Sequence, residues 1–282
     1  MGISIIVPVF GETPYLGELR SSIAAQTFRD FEVIECAPPA GNENAGAARN
    51  AGLEQAKGEW IYFADADDRL KPKLLEKVMA AGTQGRMPLP AAVDGTTALP
   101  DIIVFVAEEF DDVTGWKTPL PLKLKTRGDD ARFASYGNCV WNKLFRADYL
   151  REKGIRFQEQ KRSNDLAFVI EALARTDRIA VVDEPLYEYR INNPKSLQAG
   201  KLADTTDYAA LAFAECERRL AACGLADRFR TALENLGSDI ESNNRRSLPA
   251  RILASIRNRG FISFLKHSVG KFIRHLRSEK IG

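Results

Sequence analysis

From Ile3 onward the chain alternates short apolar runs with segments of helical period, and this alternation restricts the fold more than any other feature of the 282-residue sequence. Ile3 to Val9 is a β-branched run that ends around Pro8. Thr13-Pro14 then offers a capping residue and a proline for a first helical turn, ahead of an apolar stripe at Tyr15, Leu16, Leu19 and Ile23. Phe31 to Cys36 reads as a second strand. Pro38-Pro39-Ala40-Gly41 breaks the chain, Ala45 to Lys57 reads as a helix closed by Gly58, and Trp60 to Ala64 as a third strand. Strands separated by helices build a sheet with helices on its faces, here expected to be mostly parallel, and such sheets bind ligands beyond the carboxyl ends of their strands. The expected class is α/β.

The third strand runs directly into Asp65-Ala66-Asp67-Asp68. Alternate side chains of an extended segment share a face, so Asp65 and Asp67 are expected to point the same way. Two like-facing carboxylates repel unless a cation lies between them, and hard oxygen ligands suit Mn²⁺ or Mg²⁺ carrying phosphates. A plainer reading fits the same residues: aspartates follow strands as turn formers, and Asp67 or Asp68 can cap a helix starting near Lys71-Pro72.

Further on, residues 82–100 are expected to form a loop and Asp101 to Val106 a strand. Ser163-Asn164-Asp165 opens a helix to about Arg175, with Leu166, Val169, Ile170 and Leu173 inward. Beyond Ser196 the chain is alanine-rich and helical, which divides it into an expected main domain, 1–196, and a helical C-terminal region, 197–282. Cys36, Cys139, Cys216 and Cys223 form no CxxC pair and are expected to be reduced thiols of a cytoplasmic protein. No window approaches the ~18 apolar residues of a spanning helix. Neither a GxGxxG nor a Walker loop is present.

Charge is unevenly placed. Net charge is +2, yet residues 251–282 hold eight Lys/Arg against the single acid Glu279. Phe261, Leu265, Val269, Phe272, Ile273 and Leu276 fall on one helical stripe there. Two readings fit residues 261–277: an interfacial helix on an anionic membrane surface, making the protein peripheral at the inner face, or a helix packed on the main domain. No aromatic and basic interleaving points to nucleic acid.

Several motifs, in order, resemble the family 2 glycosyltransferases of GT-A fold. They are Ile5-Ile6-Val7-Pro8-Val9-Phe10, Ser22 with Gln26-Thr27, Phe31-Glu32-Val33-Ile34, Asn44-Ala45-Gly46-Ala47-Ala48-Arg49-Asn50, and Gly58-Glu59-Trp60-Ile61-Tyr62-Phe63 leading into Asp65-Ala66-Asp67-Asp68. Trp141-Asn142-Lys143, Asn164-Asp165-Leu166 and Tyr187-Glu188-Tyr189-Arg190 look like the acceptor half. The resemblance spans roughly residues 3–196.

It implies an inverting, metal-dependent enzyme that moves a sugar from a nucleotide-diphosphate sugar to a hydroxyl of a glycan or lipid-linked acceptor in cell-surface polysaccharide synthesis. Pro8, Val9, Phe10, Asn44, Arg49 and Asp65 are expected around the donor. Asp65 and Asp67, as a DXD motif, would hold Mn²⁺ or Mg²⁺, and Asp165 would be the general base. Trp141, Asn142, Lys143 and Asn164 would meet the acceptor. Structural alternatives stand beside three of these: a first-turn acid complementing the helix dipole for Asp165, a solvated helix arginine for Arg49, a core aromatic for Trp141.

Two departures from the family pattern bear on the donor end. Ala37 and Pro38 stand where the family has paired aspartates that contact the base, and Gly11 and Thr13 replace its usual Asn and Glu; Glu35 and Glu43 are the acids left nearby as substitutes. Only Pro39 to Glu43 separates the second strand from Asn44, which removes an edge element and leaves Phe31 to Cys36 at the sheet edge. The rival readings are a non-catalytic scaffold on the same fold and, without a phosphate loop to support it, a nucleotidyltransferase.

Overall fold

The computed structural model describes residues 2–9, 13–42, 44–83, 99–122, 129, 132–191, 193 and 207–245. The candidate Phe10, Gly11, Glu43, most of the 82–100 loop and the basic segment 251–282 lie outside these.

The elements are β1 (Ile3–Pro8), α1 (Leu16–Ala24), β2 (Phe31–Cys36), α2 (Ala45–Gln55), β3 (Trp60–Phe63), β4 (Arg69–Leu70), α3 (Leu74–Thr83), β5 (Ile102–Asp111), β6 (Trp116–Leu120), α4 (Arg132–Tyr136), β7 (Lys143–Arg146), α5 (Ala147–Lys153), α6 (Leu166–Ala174), β8 (Ile179–Arg190), α7 (Tyr208–Ala222) and α8 (Arg230–Arg245). One sheet orders the strands β2-β1-β3-β7-β5-β8-β4, with β6 paired to β5. The sheet is parallel where β1 lies between β2 and β3 and where β5 meets β8; β7, β4 and β6 pair antiparallel. The α/β class is as expected, but the sheet is mixed rather than mostly parallel, four of its seven strand pairings being antiparallel. β2 is the edge strand, as the short Pro39 to Glu43 connection implied.

Alternation within the central strands sorts two apolar layers onto the two sheet faces. Ile5 of β1, Tyr62 of β3 and Phe105 of β5 face Leu19 and Ile23 of α1 and Leu74 and Val78 of α3. Ile6, Phe63 and Val104 face the other way, onto α2, α5 and α6. Cys216 and Leu220 of α7 and Ala232 and Leu233 of α8 join that second core, so these two helices share it with α6. Among the described residues no helix is long and apolar enough to cross a membrane. Cys36 and Cys216 are buried, Cys139 and Cys223 half-buried, and all four are free thiols.

Two local details differ from the sequence reading. Helix α1 starts at Leu16 with Tyr15 at its cap and no side-chain cap bond, because Thr13 accepts the Leu16 N–H through its backbone carbonyl (3.1 Å) in a turn. Strand β8, unrecognised in the sequence, carries Pro185 in its interior. Pairing with β5 shifts register beside it, between Phe105 and Val106 and again between Val106 and Ala107, which accommodates a residue without an N–H.

Candidate active site

A cavity of about 700 Å³ opens at the carboxyl ends of β1 and β3. Pro8, Arg49, Asp65, Asp67, Asn164 and Asp165 all line it, so the sheet and α6 bring together residues up to 157 positions apart in sequence.

Strand β3 ends at Phe63, and residues 64–68 leave it as a turn rather than as extended chain. Asp65 and Asp67 nevertheless both reach the cavity wall. Asp68 does not. Its carboxylate is fully buried, accepts the Tyr187 hydroxyl (2.7 Å) on Oδ2 and the Arg190 N–H (2.6 Å) on Oδ1, and so bolts the turn to β8. Arg190 adds a bond from Nε to the Asp67 carbonyl (2.7 Å). Its guanidinium, 0% exposed, also pairs with Glu18 of α1 and with Asp112, and stacks 3.9 Å from the Tyr15 ring centroid. The turn backbone is therefore fixed from three sides before any ligand binds.

Arg49 of α2 is buried and joins the two halves of the cavity. Nη2 donates to Asp65 Oδ1 (2.6 Å) and Nη1 to Asn164 Oδ1 (2.7 Å), with Phe157 under the guanidinium. It is thus no solvated helix arginine; it ties the acidic turn to the residue just before Asp165. Asp165 occupies the α6 cap position without making a side-chain cap bond. Its carboxyl is raised above the usual range, chiefly by burial, with Arg49 opposing and Asp65 reinforcing the shift. Asp67 is raised too, by burial first and then by Asp65, while Asn193 Nδ2 donates to its Oδ2 (2.7 Å).

That electrostatic state tests the fit of a divalent ion. A buried carboxylate whose charge is further disfavoured by a second carboxylate in the same cavity, as Asp67 is by Asp65, is the setting a cation relieves. Among the described residues no group of three or more His, Cys, Asp or Glu converges on one point. Asp65 and Asp67 fit the mode in which Mg²⁺ or Mn²⁺ binds one or two carboxylates and takes its remaining oxygens from phosphate and water.

Trp141 is buried and stacks on Tyr187 (5.1 Å between centroids, 10°) and Tyr189 (5.3 Å, 14°), yet one part of it lines the cavity. Asn142 and Asn164 also line it. Four expected site residues are engaged elsewhere. Lys143 is fully buried, and its ammonium donates to the carbonyls of Tyr136 (3.0 Å) and Cys139 (2.7 Å) and to Asn142 Oδ1 (2.8 Å); burial lowers its pKa to about 8. It holds the 136–139 loop that walls the cavity instead of meeting an acceptor. Asn44 caps α2, its Oδ1 accepting the Ala47 N–H (2.8 Å). Glu35 points away, both its oxygens being held by Arg20 (2.6 and 2.7 Å). Val9 is fixed through its N–H to the Cys36 carbonyl (2.9 Å) and is not part of the wall, unlike its neighbour Pro8.

Sequence reasoning gave no role to Asn193, Tyr187 or Arg190. The last two stand in the Tyr187-Glu188-Tyr189-Arg190 motif, where a lone arginine after alternating aromatics on a strand was the available signal; Asn193 carried none.

Gly46, in the first turn of α2, allows the close approach on which the Arg49 bridge depends. A Cβ there would lie 2.3 Å from the Gln158 carbonyl oxygen and 3.1 Å from the Asn164 Cβ. Gly46→Ala is expected to push α2 away from the 158–164 segment and to cost about 2 kcal/mol, in the range of overpacking. Urea titration checks this: the midpoint should fall at constant slope, and an unchanged midpoint would mean that the contact is soft.

The family described as glycosyl transferase family 2 matches residues 39–87, which include α2, β3 and the acidic turn. Over 69% of its length the chain is 26% identical to the uncharacterized glycosyltransferase EpsJ of Bacillus subtilis (strain 168), covering 62% of that protein. It is 29% identical over 67% of its length to the succinoglycan biosynthesis protein ExoO of Rhizobium meliloti (strain 1021), covering 54% of it. The chain thus spans about three-fifths of EpsJ, less than two thirds. The crystal structure of TarS 1–349 from Staphylococcus aureus in complex with UDP superposes with a TM-score of 0.62 at 18% identity, over 94% of this chain and 80% of that one. At that identity the likeness establishes a common fold.

Proposed function

The chain belongs to the family 2 glycosyltransferases of GT-A fold, and we propose that it transfers a sugar from a nucleotide-diphosphate sugar to a hydroxyl of a glycan or lipid-linked acceptor, with inversion, in the synthesis of a surface polysaccharide. The observation that carries this reading is the Arg49 bridge, which sets the Asp65 and Asp67 turn and the Asp165 carboxylate against one cavity.

In this reading Asp65 and Asp67 hold Mn²⁺ or Mg²⁺, which when bound neutralises the charge gathering on the departing diphosphate. The chain's own groups do the rest. Asp165 accepts the proton of the acceptor hydroxyl as it attacks the anomeric carbon, opposite the leaving group. Its raised pKa makes it a better base than a solvated carboxylate. Arg49, by pairing with Asp65 and with Asn164, keeps the two carboxylate centres at a fixed separation. Trp141, Asn142 and Asn164 supply the polar and stacking surface beside Asp165 on which an acceptor sugar can be oriented.

A thermal-shift panel of nucleoside diphosphates and their sugars, with and without Mn²⁺, tests the reading, since a ligand of the native state raises apparent stability. TarS was crystallised with UDP-GlcNAc, which makes uridine donors the first to try. Silence across the panel would favour a binding scaffold. Asp67→Ala is expected to abolish the metal dependence of nucleotide binding, because one carboxylate leaves too few fixed oxygens to hold the ion against water. Equal affinity with and without Mn²⁺ in the native protein would rule the metal out.

A further inference from the structure

The cavity has a wall that the donor chemistry does not use. Helix α4 packs against both α6 and α8; its Arg132 end meets the last turn of α6, donating to the Leu173 carbonyl, while its Tyr136 end and the 137–139 loop line the same cavity as Asp165, and the end of β6 completes the wall. Leu120, Leu122 and Leu236 line it half-buried, with buried Phe133 and Ala232 also on its surface. The diphosphate and the donor sugar are polar, and the carboxylates that would anchor them lie on the turn after β3. Leucines left half-exposed in a concave site mark a surface shaped for an apolar ligand group rather than for water.

We propose that this wall seats an apolar group that the acceptor carries next to its reacting saccharide, which makes the acceptor an amphipathic glycoside or lipid-linked sugar rather than a free polysaccharide end. The proposal rests on the glycosyltransferase reading and sharpens its acceptor. Position supports the assignment: the attacking hydroxyl must lie at Asp165, and the wall of α4, α8 and β6 lines the same cavity. The same wall carries Ser135, Asn138 and Asn235 among the leucines, the mixture that suits a sugar attached to a hydrocarbon. Helix α8, far outside the stretch matched by the family model, thereby becomes a determinant of acceptor choice.

Calorimetric titration of the full-length protein, saturated with UDP, compares octyl β-D-glucopyranoside below its micelle concentration with methyl β-D-glucopyranoside. The octyl glycoside should bind at least about tenfold more tightly, since burying several methylenes is worth that much or more. Leu236→Asp and Leu122→Asp should each weaken the octyl glycoside by about tenfold or more while UDP affinity, which also reports that the variants are folded, stays unchanged. Equal binding of the two glycosides, no binding of either, or octyl binding that survives both substitutions would overturn the proposal. If UDP fails to bind while the octyl glycoside and the leucine variants behave as stated, the apolar site is supported and the donor reading is the part that fails.

Discussion

Replacing Asp165 with Asn is expected to leave nucleotide affinity unchanged and to lower sugar transfer by about 10²-fold or more, the range for loss of a general base. The substitution keeps shape and removes only the ability to take a proton. Burial is the main cause of the raised Asp165 carboxyl, and that gives the substitution a second signature. In the unfolded chain the carboxyl ionises at its ordinary pH, so between the ordinary and the raised value the native state binds more protons and stability falls as pH rises. Above its raised pKa the ionised Asp165 therefore works against folding, and there Asp165→Asn should match or exceed the native Tm. The difference should fade as pH drops through the raised pKa, where both side chains are neutral. The pH profile of kcat/KM should show an acid limb above the ordinary carboxylate range. Retained turnover in the variant would remove Asp165 from the mechanism, and a large loss of Tm would reassign it to structure.

The second large effect falls on stability. Arg190→Met should cost about 3–5 kcal/mol, the usual result of removing one partner from a buried charge network, with a Tm lower by about 10 °C. Glu18, Asp112 and the Asp67 carbonyl all lose their common donor, and the Tyr15 ring loses the cation above it. Arg190→Lys should recover only part of this, because a point charge cannot serve three acceptors that a planar fork reaches together. Differential scanning calorimetry separates these outcomes. A Tm within 2–3 °C of native for Arg190→Met, less than about 1 kcal/mol, would mean that the turn is held by Asp68 alone.

These two residues show how far the sequence could be read. Asp165 is expected as the general base because it opens a helix beside motifs of recognisable order, and it lines the cavity with Asp65 and Asp67. Strands β1, β2 and β3 and helices α1 and α2 were legible because their patterns are local: period two in the strands, 3.6 in the helices. Strand β7 escaped notice because it is only four residues long and begins with a lysine, a residue whose charge normally argues for solvent. Lys143 is expected at the site because Trp141-Asn142-Lys143 resembles a motif of the family's acceptor half, whereas its ammonium is held by carbonyls of the neighbouring loop. Asn44 stands in a motif whose resemblance points at the donor, and a cap on α2 through its Oδ1 is a second role that the resemblance did not announce. Asp68 and Arg190 could not be paired in advance, since nothing in either neighbourhood announces a partner more than a hundred residues away.

That separation has a consequence for the order in which the protein becomes competent during its synthesis. The acidic turn is made early, but the groups that hold it, Tyr187 and Arg190, follow 119 and 122 residues behind Asp68. Until β8 has left the ribosome, Asp65, Asp67 and Asp68 sit on an unanchored loop, repelling one another. Closing so long a loop is also slow, because its entropy must be lost before the contacts return anything. A nascent chain therefore carries its chemical groups long before it can use them, and β8 acts as the latch that turns an acidic loop into a site.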